Sequence, residues 1–143
     1  MSLDNPTVNR YFADQAIDHI DHALGRPIWP LRETYRNHFA TDTDGEQAAT
    51  FEASPHWTKT GQHRDMAFYS VTEQGRKALA DHISSQPNAW QPFLITFDGY
   101  TRIVPERTQS KAKKYAYYLV VSDSWSELTF GEFCKRSTVR RAA

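Results

Sequence analysis

Asp98-Gly99 stands between two runs of strand-forming residues, Phe93–Phe97 and Tyr100–Val104. The tightest hairpin turn needs a left-handed backbone at both central positions. Aspartate tolerates that conformation and glycine adopts it freely, so the dipeptide predicts a two-residue hairpin. The turn then dictates the pairing, with Phe97 opposite Tyr100, Ile95 opposite Arg102 and Phe93 opposite Val104. Leu94, Thr96, Thr101 and Ile103 share the other face. Both faces are partly apolar, so the hairpin should be covered on one side and edged by another element. Pro105 should end the second strand.

The flanking segments extend this pattern. A helix is expected over about Gln109–Val121, with Ala112, Tyr115, Ala116 and Leu119 as its core stripe. Thr129-Phe130-Gly131-Glu132 fits a capping box and predicts a short helix that buries Phe130, Phe133 and Cys134. Ser137–Ala143 reads as a basic tail ordered only on contact.

In the first half, Asn5-Pro6 resembles an N-cap followed by proline at the first helical position. That helix should run to Leu24, stop at Gly25, and carry Phe12, Ala16, Ile20, Ala23 and Leu24 as its apolar stripe. Leu31, Tyr35 and Phe39 recur at helical spacing, so a second helix is expected over Leu31–Thr41. A short helix, about Glu46–Ala53, should follow and end before Pro55. Trp57–Lys59 and Met66–Val71 read as hairpin arms around the loop Thr60–Asp65. Thr72 can cap the next helix, which carries Leu79 and Ile83. Ser84–Pro92 is polar and holds two prolines. The expected fold is therefore α+β, with a first subdomain at 1–85, a linker at 86–92 and a β-hairpin–helix subdomain at 93–143.

A chain of 143 residues, 39% apolar and 24% charged, is long enough to bury a core without disulfides or metals. The lone Cys134 excludes an internal disulfide and any cysteine-based zinc site. With an acidic N-terminus, no apolar leader and no long apolar run, the expectation is a cytoplasmic protein outside the membrane. Net charge is zero but unevenly spread. Residues 1–55 hold four Lys/Arg against nine Asp/Glu and sum to −5; residues 101–143 hold nine against four and sum to +5. Either the basic end binds an anionic partner, or the acidic and basic halves pack on each other within one chain or across a homodimer.

The run Tyr69-Ser70-Val71-Thr72-Glu73-Gln74-Gly75-Arg76-Lys77-Ala78-Leu79 resembles the last wing strand and following helix of bacterial winged-helix regulators, and residues 8–83 follow their element order. In such a frame threonine caps the helix, glycine lets it approach the strand closely, and leucine enters the core. The resemblance implies a winged-helix-like hairpin whose loop offers Lys59, His63 and Arg64 to a nucleic-acid backbone. The helix just ahead of the wing usually enters the groove. Here it holds Glu46 and Glu52 and no cation, which is the wrong sign for phosphates. Arg32, Arg36, Asn37 and His38 on the preceding helix are better base readers, though out of place in the motif.

Lys111, Lys113 and Lys114 crowd the first turns of the later helix, where the macrodipole disfavours cations. Hairpin followed by Ser110-Lys111-Ala112-Lys113-Lys114-Tyr115-Ala116 faintly resembles the end of a double-stranded-RNA-binding domain, where such lysines hold phosphates. Arg102, Arg140 and Arg141 would add to a nucleic-acid surface. The ordinary alternative is a solvated basic face paired with the acidic half.

Asp14, Asp18, Asp21 and His22, with His19 nearby, form a carboxylate–imidazole stripe. It reads as a solvated acidic face or a protein-binding face; a metal site lacks a second set of ligands. Trp29, Trp90 and Trp125 are further aromatic candidates for protein contact. No nucleophile motif, phosphate loop or dinucleotide fingerprint is present, so no enzyme activity and no cofactor are expected.

Two blocks are similar to small bacteriophage and prophage proteins, chiefly from proteobacteria. One is Tyr35–Thr41 with His56-Trp57 and Val71–Arg76; the other is Phe97–Tyr100 with Leu128–Phe133 and Val139–Arg141. The resemblance implies a phage accessory setting and no catalytic residues. The expected function is binding of a macromolecule: nucleic acid through the wing loop and basic second half, or a host defence protein through the acidic helix and exposed aromatics.

Overall fold

The computed structural model describes residues 5–123 and 127–142. It is mixed α+β and divides into two compact units, Met1–Gln86 and Pro87–Ala143. The expected linker at 86–92 is shorter than drawn, because Gln91 and Pro92 already belong to a strand.

Unit one runs α1 (Gln15–Leu24), β1 (Phe39–Asp42), α2 (Glu46–Glu52), β2 (Trp57–His63), β3 (Met66–Val71) and α3 (Glu73–Ser85). Its antiparallel sheet has the order β1-β3-β2. Ile20, Ala23 and Leu24 of α1, Phe51 of α2, Trp57, Tyr69 and Leu79 form the core. Phe51 stacks on Trp57 with ring centroids 3.9 Å apart, and Phe39 meets both edge-on. Such aromatic burial offsets the modest aliphatic content.

Two helix expectations fail here. α1 starts nine residues later than Asn5 suggested, with Asp14 as its N-cap accepting from the Ile17 N–H. The Asn5 side chain instead bonds both backbone groups of Trp29. The N-terminal backbone pairs with the loop beyond α1: Val8 N–H donates to the Arg26 carbonyl and Ile28 N–H to that of Pro6. Of the expected apolar stripe, Phe12 precedes the helix and Ala16 is exposed.

The second failure is Leu31–Thr41, which is loop and then β1. Leu31 and Tyr35 are exposed rather than core-facing. Three Arg76 contacts hold the loop, to the carbonyls of Pro30 and Arg32 and to Thr34 Oγ1. Asn37 pairs its side-chain amide with the N–H and C=O of Val71, continuing the sheet like a ladder partner.

The Thr72–Leu79 run behaves as its chemistry predicts. Thr72 Oγ1 accepts from Gly75 N–H at 3.2 Å, and Leu79 is fully buried. A Cβ at Gly75 would lie 2.6 Å from the His56 carbonyl oxygen and 2.7 Å from Val71 Cγ1. The helix can therefore lie this close to the β2 entrance only without a side chain there.

A buried ionic cluster closes the other end of the unit. Asp21 has no exposure, and Arg10 grips it through Nε at 2.9 Å and Nη2 at 2.6 Å. The same Nη2 donates to the Pro27 carbonyl. Arg26 donates to Asp21, to both Asp18 oxygens and to the Arg10 carbonyl. The Asp18 carboxyl is held below its usual range, first by its bond to Arg26.

Unit two runs β4 (Gln91–Phe97), β5 (Tyr100–Glu106), α4 (Gln109–Asp123), α5 (Phe130–Arg136) and β6 (Ser137–Arg141), with sheet order β5-β4-β6. The β4–β5 register is the one the Asp98-Gly99 turn dictates, and both turn residues have positive φ, 49° and 81°. β5 runs past Pro105 to Glu106, since an edge strand tolerates proline. The capping box at Thr129 and Glu132 is present. Phe133 is fully buried, but Phe130 is 37% exposed.

The expected basic tail is β6, which pairs with β4 so that Val139 lies opposite Ile95 and packs on the core. Because the third strand follows the helices, the unit departs from the double-stranded-RNA-binding pattern, in which the strands precede the helix.

Three stability outcomes follow from these contacts. Gly75→Ala should cost about 2 kcal/mol or more in urea unfolding, because the obstructing atoms are backbone and a packed valine. Asp21→Ala should cost roughly 3–5 kcal/mol by leaving the Arg10 guanidinium buried and unpaired. Replacing Arg10 and Asp21 together with apolar residues should cost less than Asp21→Ala alone.

Candidate nucleic-acid interface

α4 carries the clearest surface chemistry in the molecule. Thr108 starts it, its Oγ1 accepting from Lys111 N–H at 3.1 Å. Ala112 and Ala116 are buried one turn apart, and their small size lets the helix lie close over Phe93, Ile95 and Val104. The aromatic that turns inward is Tyr117. Its hydroxyl donates to the Leu128 carbonyl at 2.7 Å, and its ring meets Phe130 and Phe133. The expected stripe placed Tyr115 inward; instead it is 47% exposed. The two alanines set the contact line, and Tyr117 and Val120 flank it on the side of α5.

The opposite face presents Lys111, Lys114, Tyr115 and Tyr118, which fall within about 100° of helical arc. Tyr118 is 62% exposed. Its ring lies 6.4 Å from that of Tyr115, with the planes tilted 24°. No acidic residue occupies the first turn of α4. Among the described residues no carboxylate forms an ion pair with Lys111 or Lys114. Lys113 is half-buried and falls on the other side of the helix, so the lysine cluster splits two and one.

The remaining predicted cations do not join this face. Arg102 lines a cavity of about 420 Å³ on the inward side of α4, with Ile95, Phe97, Ala116, Val120 and Phe133. Asp98 and Asp123 share that cavity, so its charge is mixed. Arg140 lies opposite Leu94 on the reverse face of the sheet, and Arg141 lies opposite Phe93 at the strand's end. In unit one, Lys59, His63 and Arg64 occupy the β2–β3 hairpin. A bulge between Lys59 and Gly61 puts Lys59 opposite Tyr69 and His63 opposite Met66, on different faces. Asp42 is the other partner of Met66, and Asp65 stands next to Arg64 in the turn, so acidic and basic residues alternate at the tip. Lys59 is held by Gln62 at 2.8 Å.

The acidic stripe is not an open face. Asp14 caps α1, and Asp18 and Asp21 are bound by arginines of their own unit. His19 is wedged edge-on against Phe39 and Phe51, and burial pushes its pKa down. Among the described residues no group of three or more His, Cys, Asp or Glu could hold a metal. In α2, Glu52 accepts from the buried Tyr69 hydroxyl at 2.8 Å, and burial together with that carboxylate pushes the phenol up to about 12. The expected base readers Arg32, Arg36, Asn37 and His38 lie in loop, not helix.

Trp29 is half-buried beneath Arg32, and Trp90 is half-buried with Arg107 5.2 Å from its ring centre. Trp125 lies outside the described residues. The exposed aromatics of unit one are Tyr11 and Tyr35, at 76% and 74%. Sequence reading missed both, and their only signal was a helical spacing that pointed Tyr35 inward. No described helix is long and apolar enough to cross a membrane.

The outward face of α4 can do two things chemically. Its ammonium groups attract phosphates, and its phenol rings offer π-faces to bases. No protein-family model matches the chain, and no curated protein or solved structure matches it significantly.

Proposed function

We propose that this chain is a non-enzymatic accessory protein, of the kind bacteriophages carry, that binds nucleic acid through the outward face of α4. The observation that carries this reading is the juxtaposition of Lys111 and Lys114 with exposed Tyr115 and Tyr118, on a face without a paired carboxylate. Phosphate contact supplies sequence-independent affinity, and lysine ammonium groups supply the contact. Residues 8–83 serve as a winged-helix-like unit whose hairpin and α3 are structural. The helix ahead of its wing keeps Glu46 and Glu52, and its hairpin tip mixes cations with carboxylates, so neither favours a duplex backbone.

The test is an anisotropy titration of labelled oligonucleotides from low to moderate salt. Binding should weaken steeply as salt rises. Lys111→Gln and Lys114→Gln should each weaken it and lower the slope of log K against log salt by about 0.7. Binding by the double variant equal to that of the parent would overturn the proposal.

A second reading rests on unit one, where Tyr11, Leu31 and Tyr35 are exposed at 76%, 59% and 74%. Such residues suit a protein contact. On this reading a host protein is captured by the parent and lost with Tyr35→Ser. Equal capture by both would remove it.

A further inference from the structure

We infer that the α4 face selects single strands over duplex, with Tyr115 and Tyr118 stacking on two neighbouring bases of one strand. The inference rests on the nucleic-acid reading above and deepens it. Three tyrosines stand within four positions of α4, and the structure divides them. Tyr117 is committed to the core through its hydroxyl bond to Leu128 and its contacts with Phe130 and Phe133. Tyr115 and Tyr118 stand side by side with ring centroids 6.4 Å apart, and are 47% and 62% exposed.

The lysines are in step with these rings. Lys111 precedes Tyr115 by four residues and Lys114 precedes Tyr118 by four, a spacing that makes side chains neighbours on a helix surface. The face therefore sets two lysines one turn ahead of two tyrosines. One strand can lie along it with a phosphate at each ammonium and a base on each ring. A duplex would satisfy the ammonium groups alone, because its base faces are closed within the stack. Stacking on an aromatic side chain is largely indifferent to base identity, so the expected ligand is single-stranded DNA or RNA of any sequence. The charge alone would also suit an acidic protein; the exposed rings favour a single strand, because an acidic protein would leave them without flat partners.

The experiment compares the full chain on labelled dT12, U12 and a 12-base-pair duplex at low salt. The parent should bind dT12 or U12 more tightly than duplex, and the ratio of the two single strands separates DNA from RNA. Tyr115→Leu and Tyr118→Leu should each weaken single-strand binding by roughly five- to a hundred-fold. The salt slope and duplex binding should stay as in the parent. Tyr118→Phe, which keeps the ring, should bind as the parent does. Duplex affinity equal to or above that for single strands, or leucine variants that bind dT12 and U12 unchanged, would overturn the inference while leaving the lysine-based reading intact. Failure to bind all three probes would overturn both.

Discussion

The carboxylate of Asp21 is wholly buried, and the shape of unit one follows from what that requires. An ionised group removed from water must be met by opposite charge and saturated with hydrogen bonds. Arg10 and Arg26 do this from either side, and each also bonds a backbone carbonyl: Arg10 that of Pro27, and Arg26 that of Arg10. The cluster thus joins the N-terminal segment, α1 and the loop after it. This explains why residues 5–10 are not helical although Asn5-Pro6 resembles a helix start. Their backbone groups are used in pairing with Arg26 and Ile28, and a helix there would withdraw Arg10 from its partner.

The same kind of nonlocal demand reshapes residues 30–38. Leu31, Tyr35 and Phe39 fall at helical spacing, but only Phe39 joins the core. The backbone there is met by side chains from distant positions. Arg76 caps the carbonyls of Pro30 and Arg32, and Asn37 completes the end of β3. Tyr35 lies across Gly25, whose φ of 84° and lack of a side chain leave room for the ring. A helix would forfeit these contacts in exchange for a face with nothing to bury against.

What was legible in the chain was local. The Asp98-Gly99 turn, the Thr72 and Thr129 caps and the stop at Gly25 each depend on residues within a few positions. Their stereochemistry is the same in any protein. What was illegible depended on partners far away in sequence. Arg10 and Arg26 converting an acidic stripe into a buried cluster is one case. Ser137–Arg141 completing a sheet begun at Gln91 is another. The candidate site falls between these cases. Lys111 and Lys114 were visible as a cluster, and the alanines of α4 were visible as core. The outward turn of Tyr115, and the inward turn of Tyr117, depend on where α5 and Leu128 lie.

The zero net charge of the chain therefore says little about what it attracts. Charges act over about a Debye length, roughly 8–10 Å at ordinary salt, so local availability matters more than the total. In unit one Asp18 and Asp21 are engaged by arginines. In unit two Asp98 is paired with Arg136, and Glu132 accepts from the Thr129 hydroxyl and backbone in its capping box. These carboxylates are neutralised or turned to structural use where they stand. Lys111 and Lys114 have no such partner among the described residues, and they project from a helix end whose own dipole adds positive potential. Close to α4 these ammonium groups, and not the sum over the sequence, set the local charge.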